Sequence, residues 1–167
     1  MFHDFMGDGY TILFSHPADY TPVCTTELAE VSKRAEDWSS RNTKVCALSC
    51  CSVEDHKGWI KDVNCFGNTE VTYPIIADED RSIATMFGML GTKGVMDDKK
   101  GMPMTVRCVF IFGPDKKLKL TLTYPPSTGR NFDEIIRVLD SIMLSDCTPV
   151  NWKVGDMVVV HPSKTDE

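Results

Sequence analysis

The sequence lacks several features that would have fixed its class at once. No basic opening and no long apolar run occur: the first residues, MFHDFMGDGYTILFSHP, carry Asp4 and Asp8 early. Neither a secretory leader nor a membrane span is therefore expected, and the expected location is cytoplasmic. Basic residues are in deficit, 18 Lys and Arg against 24 Asp and Glu for a net charge of -6, and they form no long run. Such a surface does not draw nucleic acid, so the expected partner is a small molecule or a protein. No C-x-x-C pair and no His or Cys at zinc spacing is present, and the seven cysteines are an odd number. A structural zinc site and a secreted disulfide framework are both disfavoured, and no metal ligand is assigned. Internal repeats and low-complexity segments are also missing.

What is present suits one globular chain. The 167 residues are 42% hydrophobic and 25% charged, enough for a substantial core. YTILFS (10–15) reads as a buried strand, and PVCTTELAEVSKRAEDWSSR (22–41) as one amphipathic helix with Leu28, Val31, Ala35 and Trp38 on a face. Thr21 is its expected N-cap and Pro22 its first residue, where a missing N–H costs nothing. TKVCALSC (43–50) is a second strand, and a helix from Ser52 follows with Asp55 completing a capping signal. Strands joined through a helix pair in parallel. A short strand in YPIIAD (73–78), a helix in EDRSIATMFGM, and a polar loop over 91–103 come next. MTVRCVFIFGPDKKLKLTLTY (104–124) is a hairpin about Gly-Pro-Asp, and NFDEIIRVLDSIML (131–144) closes as a helix with Phe132, Ile135, Ile136, Leu139 and Ile142 on its apolar face. The order describes an α/β chain with a central mixed sheet flanked by helices, a thioredoxin-like arrangement over residues 1–144. Residues 145–167 form a C-terminal extended segment expected on a surface or against a partner.

Most of the seven thiols are expected to be small buried hydrophobes, so a functional cysteine has to be singled out on chemical grounds. Cys24 falls in the first turn of a helix, where unpaired N–H groups and the positive end of the dipole favour a thiolate over a thiol. Alternation in the hairpin puts Arg107 on one face with Thr105, Val109 and Ile111, a charge inside an apolar run. Buried arginine wants an anion, and a thiolate beside that strand would serve. The plainer alternative is that Cys24 is a small residue in a capped turn.

PADYTPVC, with Pro17, Thr21 and Cys24 spaced as P-x-x-x-T-x-x-C, resembles the active-site signature of the peroxiredoxins. HP at 16–17, VCTTEL at 23–28, the Arg107 strand, FGPDKKLKL at 112–120 and TGRNFDEI at 128–135 extend that resemblance over nearly the whole chain, nearest to the one-cysteine branch. The resemblance implies a peroxidatic Cys24 that attacks the peroxide O–O bond and becomes a sulfenic acid. It implies Thr21 hydrogen-bonding thiolate and peroxide through its hydroxyl, Arg107 favouring the thiolate, and Pro17 shielding the sulfur, with no metal or prosthetic group. His16 and Arg130 match positions near the pocket; as plain residues they read as a surface histidine and a solvated arginine. Implied substrates are hydrogen peroxide and organic or lipid hydroperoxides. Implied partners are a thiol reductant, either glutathione with a transferase or thioredoxin, and a second copy in a homodimer.

The chain also departs from that pattern. Where some members of the branch carry a lipase-like G-x-S-x-G, this sequence has GDGYT (7–11), with Gly9 at the serine position and Thr11 at the last glycine, although His3 and Asp115 match the other members of the set. Acyl transfer by that route is not expected. Cys147, in CTPVNW, lies near where two-cysteine members carry a resolving cysteine, and reads either as that or as an incidental surface thiol. Cys46, Cys50, Cys51 and Cys65 read as structural. Relative to the family both ends look short, as in a partial or shortened member. The rival from another class is a non-catalytic binding or holdase protein on the same fold.

Overall fold

The computed structural model describes residues 1–94, 97–144 and 146–160. Its five strands are β1 (Tyr10–Ser15), β2 (Thr43–Ser49), β3 (Ile75–Ala77), β4 (Arg107–Phe112) and β5 (Leu118–Tyr124), ordered β3-β2-β1-β4-β5. The first three are parallel neighbours, because helical crossovers return the chain in the same direction. β4 runs antiparallel to β1 and hairpins into β5. β4 is buried along its whole length and β1 beyond its first residue, whereas edge strand β5 alternates between half-buried and exposed. The mixed sheet read from the sequence is thus the one observed.

The chain folds as two compact units, Met1–Arg130 and Asn131–Glu167. In the first, α1 (Phe2–Met6) and α5 (Ser82–Met86) cover the sheet face that presents Leu13, Cys46, Leu48, Cys108, Phe110 and Phe112. α2 (Pro22–Lys33) and α4 (Val53–Gly67) pack together through Cys24, Leu28, Ala29, Trp59 and Val63, with Ile75 of β3 against that cluster. Ser52 caps α4 by accepting from the Asp55 N–H, and Asp55 answers the Ser52 N–H, the capping box the sequence announced.

Two elements differ from the sequence reading. The single helix expected over 22–41 is broken at Arg34 into α2 and α3 (Ala35–Ser39). Trp38 explains the break: it turns inward, 3% exposed, packs on Phe14 and donates its indole N–H to the Val31 carbonyl at 2.9 Å. The short α1 was not expected at all. Its Met6 is fully buried, and Phe2 packs edge-on against Phe112 with ring centres 5.5 Å apart, so tertiary packing and not helix propensity holds it.

The second unit contains α6 (Phe132–Met143), started by the Asn131 side chain accepting the Asp133 and Glu134 N–H groups. Phe132, Ile135, Val138 and Leu139 are buried; Ile136 and Ile142 are half-buried. Residues 146–160 are more ordered than the lack of periodicity suggests. Cys147 and Val159 exchange backbone hydrogen bonds of 3.1 and 2.8 Å, and Trp152, 4% exposed, gives its carbonyl to Arg137.

Candidate active site

The entrance to α2 is a short connection from β1. Thr21 adopts the extended geometry of an N-cap, Pro22 opens the helix, and Cys24 sits in the first turn, fully buried. The Thr21 hydroxyl, which the sequence reading aimed at the sulfur, donates instead to the Ala18 carbonyl at 2.9 Å. The Thr21 carbonyl in turn accepts both the N–H and the hydroxyl of Thr25. The turn before it is strained: Tyr20 has a φ of 56°, the left-handed region that side chains avoid. Its ring lies across α4 at Gly58, where a Cβ would come within 2.2 Å of the Tyr20 hydroxyl. That contact accounts for a glycine in the interior of a helix.

β4 delivers Arg107 to the same place. Its Nη1 donates to Cys24 Sγ at 3.3 Å and to Glu27 Oε2 at 2.6 Å, while Nε and Nη2 hold the Pro126 carbonyl at 3.0 and 2.7 Å. The guanidinium is therefore fixed in orientation and 3% exposed. Arg130 is equally buried, contrary to the plain reading of a solvated arginine. It grips Glu27 through Nε at 3.1 Å, Nη2 at 2.9 Å and its backbone N–H at 2.8 Å, and it spends Nη1 on the carbonyls of Ser15 and Cys108. Burial pushes the Glu27 carboxyl up, but the charges and hydrogen bonds of Arg130 and Arg107 outweigh it and hold the group below the ordinary carboxylate value. Glu27 was absent from the sequence reading. The available signal was its spacing, three residues after Cys24 and so on the same helical face.

His16 is buried with no exposure, which rules out the surface histidine. Its Nε2 pairs with Asp19 Oδ1 at 2.8 Å, and Asp19 Oδ2 pairs with His56 Nδ1 at 2.5 Å. Ser49 donates to Asp19 Oδ1 at 3.3 Å, and the Asp19 N–H points to Cys51 Sγ at 3.3 Å. Burial would raise Asp19, but its hydrogen bonds from His16 and His56 prevail and bring its pKa to about 2. Burial lowers the His16 pKa against the pull of Asp19. His16 Nδ1 finds no hydrogen-bond partner, and the ring rests 5.1 Å from that of Trp59. Asp19 and His56 are also additions to the sequence reading.

A thiol, a guanidinium aimed at it and a buried carboxylate bracing that guanidinium stand together at a helix entrance, and comparison with known proteins agrees on what this is. Residues 2–121 match the AhpC/TSA family. Peroxiredoxin-6 of Gallus gallus is 55% identical over 99% of this chain and 77% of its own length, and peroxiredoxin-6 of Homo sapiens is 53% identical over the same shares. The chain is a peroxiredoxin of the AhpC/TSA family. A crystal structure of a mutant peroxiredoxin 6 of Arenicola marina superposes with a TM-score of 0.92 at 48% identity, covering 97% of this chain and 76% of that one. A yeast mitochondrial 1-Cys peroxiredoxin, described with thiol resolution through glutathione and thioredoxin systems, follows at 0.89 and 41%, covering 97% and 78%. The peroxiredoxin assignment makes the chain a thiol peroxidase.

The remaining candidates of this peroxiredoxin fall outside that cluster. All seven cysteines are free thiols. Cys147 is exposed in the second unit, and Cys65 is exposed on α4, so burial does not account for it as a structural cysteine. At the lipase-like stretch, Gly9 is buried, and a Cβ there would stand 2.2 Å from the Asn42 carbonyl, leaving no room for a side chain. His3 is exposed on α1, and Asp115 is paired with Lys119 in the hairpin turn at 2.7 Å. No helix among the described residues is long and apolar enough to cross a membrane.

Proposed function

We propose that Cys24 is the peroxidatic residue and that this peroxidase reduces hydrogen peroxide and organic hydroperoxides. The observation that carries the reading is the 3.3 Å contact from Arg107 Nη1 to Cys24 Sγ, made by a guanidinium that Glu27 and the Pro126 carbonyl also hold. A cation held in that way favours the sulfur as its anion and stays in place as the reaction proceeds. The thiolate attacks one peroxide oxygen, an S–O bond forms as the O–O bond breaks, and the second oxygen leaves with a proton as water or alcohol. Cys24 is left as a sulfenic acid.

Arg130 and Glu27 act through Arg107 as positioning residues. Pro17, which precedes the strained turn, is assigned the shielding of the sulfur, and the complete burial of Cys24 keeps bulk water from the intermediate. Thr21 sets the helix start. To donate its hydroxyl proton to sulfur or peroxide it has to release Ala18; as it stands it can accept from the peroxide O–H. His16 is an oriented ring, held by Asp19 ahead of the helix entrance. An external thiol returns the sulfenic acid to thiol; the likeness to the yeast enzyme favours glutathione or thioredoxin, and the exposed Cys147 is the candidate for a disulfide between copies. Among the described residues β5 is an edge strand paired only with β4, and a homodimer could use that edge.

The test is rapid mixing of the reduced chain with one equivalent of hydrogen peroxide, read by intact mass and non-reducing gel, for wild type and Cys24→Ser. Fast oxidation of one residue that vanishes in the variant is expected. A disulfide-linked dimer through Cys147 would assign the two-cysteine route. Slow oxidation spread over several cysteines would overturn the reading.

A further inference from the structure

Two thiols that the peroxidase reaction leaves unused stand next to each other in the chain and in space. Successive residues of a strand point to opposite faces, but β2 ends at Ser49, and the chain bends at Cys50 and Cys51. Both residues consequently border one cavity of about 740 Å³, whose wall also includes Pro17, Thr21 and Arg81. Both are half-buried and reachable from that cavity.

Each sulfur is held. Cys51 Sγ receives the Asp19 N–H at 3.3 Å, and Ser49 Oγ takes the Cys51 N–H at 3.2 Å, which fixes the bend. Cys50 packs against the apolar cluster that contains Leu48, Ala84 and Met89. Burial pushes the Cys50 thiol up to about 11 despite the nearby Arg81 charge, and burial raises Cys51 as well. Neither is a thiolate nucleophile at neutral pH, so a reagent needing a single reactive anion is a poor match. A group that binds two sulfurs at once and takes up both protons is a good one.

The donor set narrows the choice. Among the described residues no three His, Cys, Asp or Glu side chains come together as metal ligands, so a four-coordinate zinc ion would find too few partners here. We propose that Cys50 and Cys51 form a second thiol site, a vicinal dithiol that captures a trivalent thiophile such as a monosubstituted arsenical across both sulfurs. With an arsine oxide the step balances without electron transfer: two As–S bonds form, the As–O bond breaks, and the oxygen leaves as water with the two thiol protons.

The experiment uses phenylarsine oxide on the full chain carrying Cys24→Ser, which separates this site from the peroxidatic thiol. One adduct per chain is expected, with loss of one water, stable to excess 2-mercaptoethanol and removed by a dithiol. Adding Cys50→Ala or Cys51→Ala should each abolish the monothiol-resistant adduct, with circular dichroism checking that the variants fold. An adduct that survives both substitutions, or one stripped by monothiol, would overturn the proposal. Peroxide oxidation of Cys24 in a Cys50→Ala chain tests the peroxidase reading separately, since Cys50 takes no part in it.

Discussion

Cys24 and Cys51 both border the stretch from His16 to Thr21, one through the chain and the other through the Asp19 N–H, yet their surroundings are opposite in kind. Cys24 is completely buried but meets a guanidinium at 3.3 Å. Cys51 and Cys50 are partly open to a cavity, and burial keeps them protonated. Cys46, deep in the core with no charge beside it, is pushed further, to about 12. Burial by itself therefore silences a thiol. What distinguishes Cys24 is a cation that burial cannot push away, because Glu27 and the Pro126 carbonyl hold it.

The strongest way to break that contrast is Arg107→Ala. Loss of one preorganised donor at a reacting group costs about 10²- to 10³-fold in rate, and stopped-flow oxidation of Cys24 should slow by that order. A change under about threefold would mean that the helix entrance alone activates the sulfur. Glu27→Gln comes next. Breaking a buried ion pair on one side costs about 3–5 kcal/mol, so urea unfolding should reveal a large destabilisation, and the peroxide rate of the folded fraction should drop as Arg107 loses its brace. A stable variant with unchanged rate would leave Glu27 without a positioning role.

Asp19→Asn sharpens the comparison from the other side of the stretch. The folded carboxyl lies at about 2 against an ordinary 3.8, a depressed value. Its stabilisation is fully present above about pH 4 and is lost as pH falls through about 2, and it amounts to about 2 kcal/mol at neutral pH. Denaturation curves of the two proteins should differ at pH 7 and converge near pH 2; a gap that persists in acid would trace the effect to packing. The smallest effect belongs to Gly58→Ala. The added methyl meets the far end of the Tyr20 ring, which can swing outward, and alanine regains about 1 kcal/mol of helix propensity. Melting temperature should hardly move, and Tyr20→Phe in that background should raise it. A large fall would show that the Tyr20 seat is rigid.

Local chemistry made much of this molecule readable. Pro22 after Thr21 announced a helix start, Ser52 with Asp55 announced another, and alternation in β4 isolated Arg107 as a charge in an apolar strand. The parts that escaped depend on partners distant in sequence. Glu27 on a helix reads as a solvated carboxylate until Arg130, 103 positions away, is folded onto it. Asp19 and His56 lie 37 positions apart, so neither explains the other before β2 and α4 are in place. The break at Arg34 answers the need of Trp38 to reach Phe14, which no periodicity within residues 22–41 encodes.

The sharing of Glu27 between Arg107 and Arg130 carries one more consequence. Two positive groups and one negative group leave this buried trio with a surplus of one positive charge. Assembling such a surplus away from water opposes folding, so the protein performs electrostatic work in adopting its native state and keeps it stored there. Ionisation of Cys24 makes the ensemble neutral. The thiolate that attacks peroxide is thereby the electrically balanced form of the site.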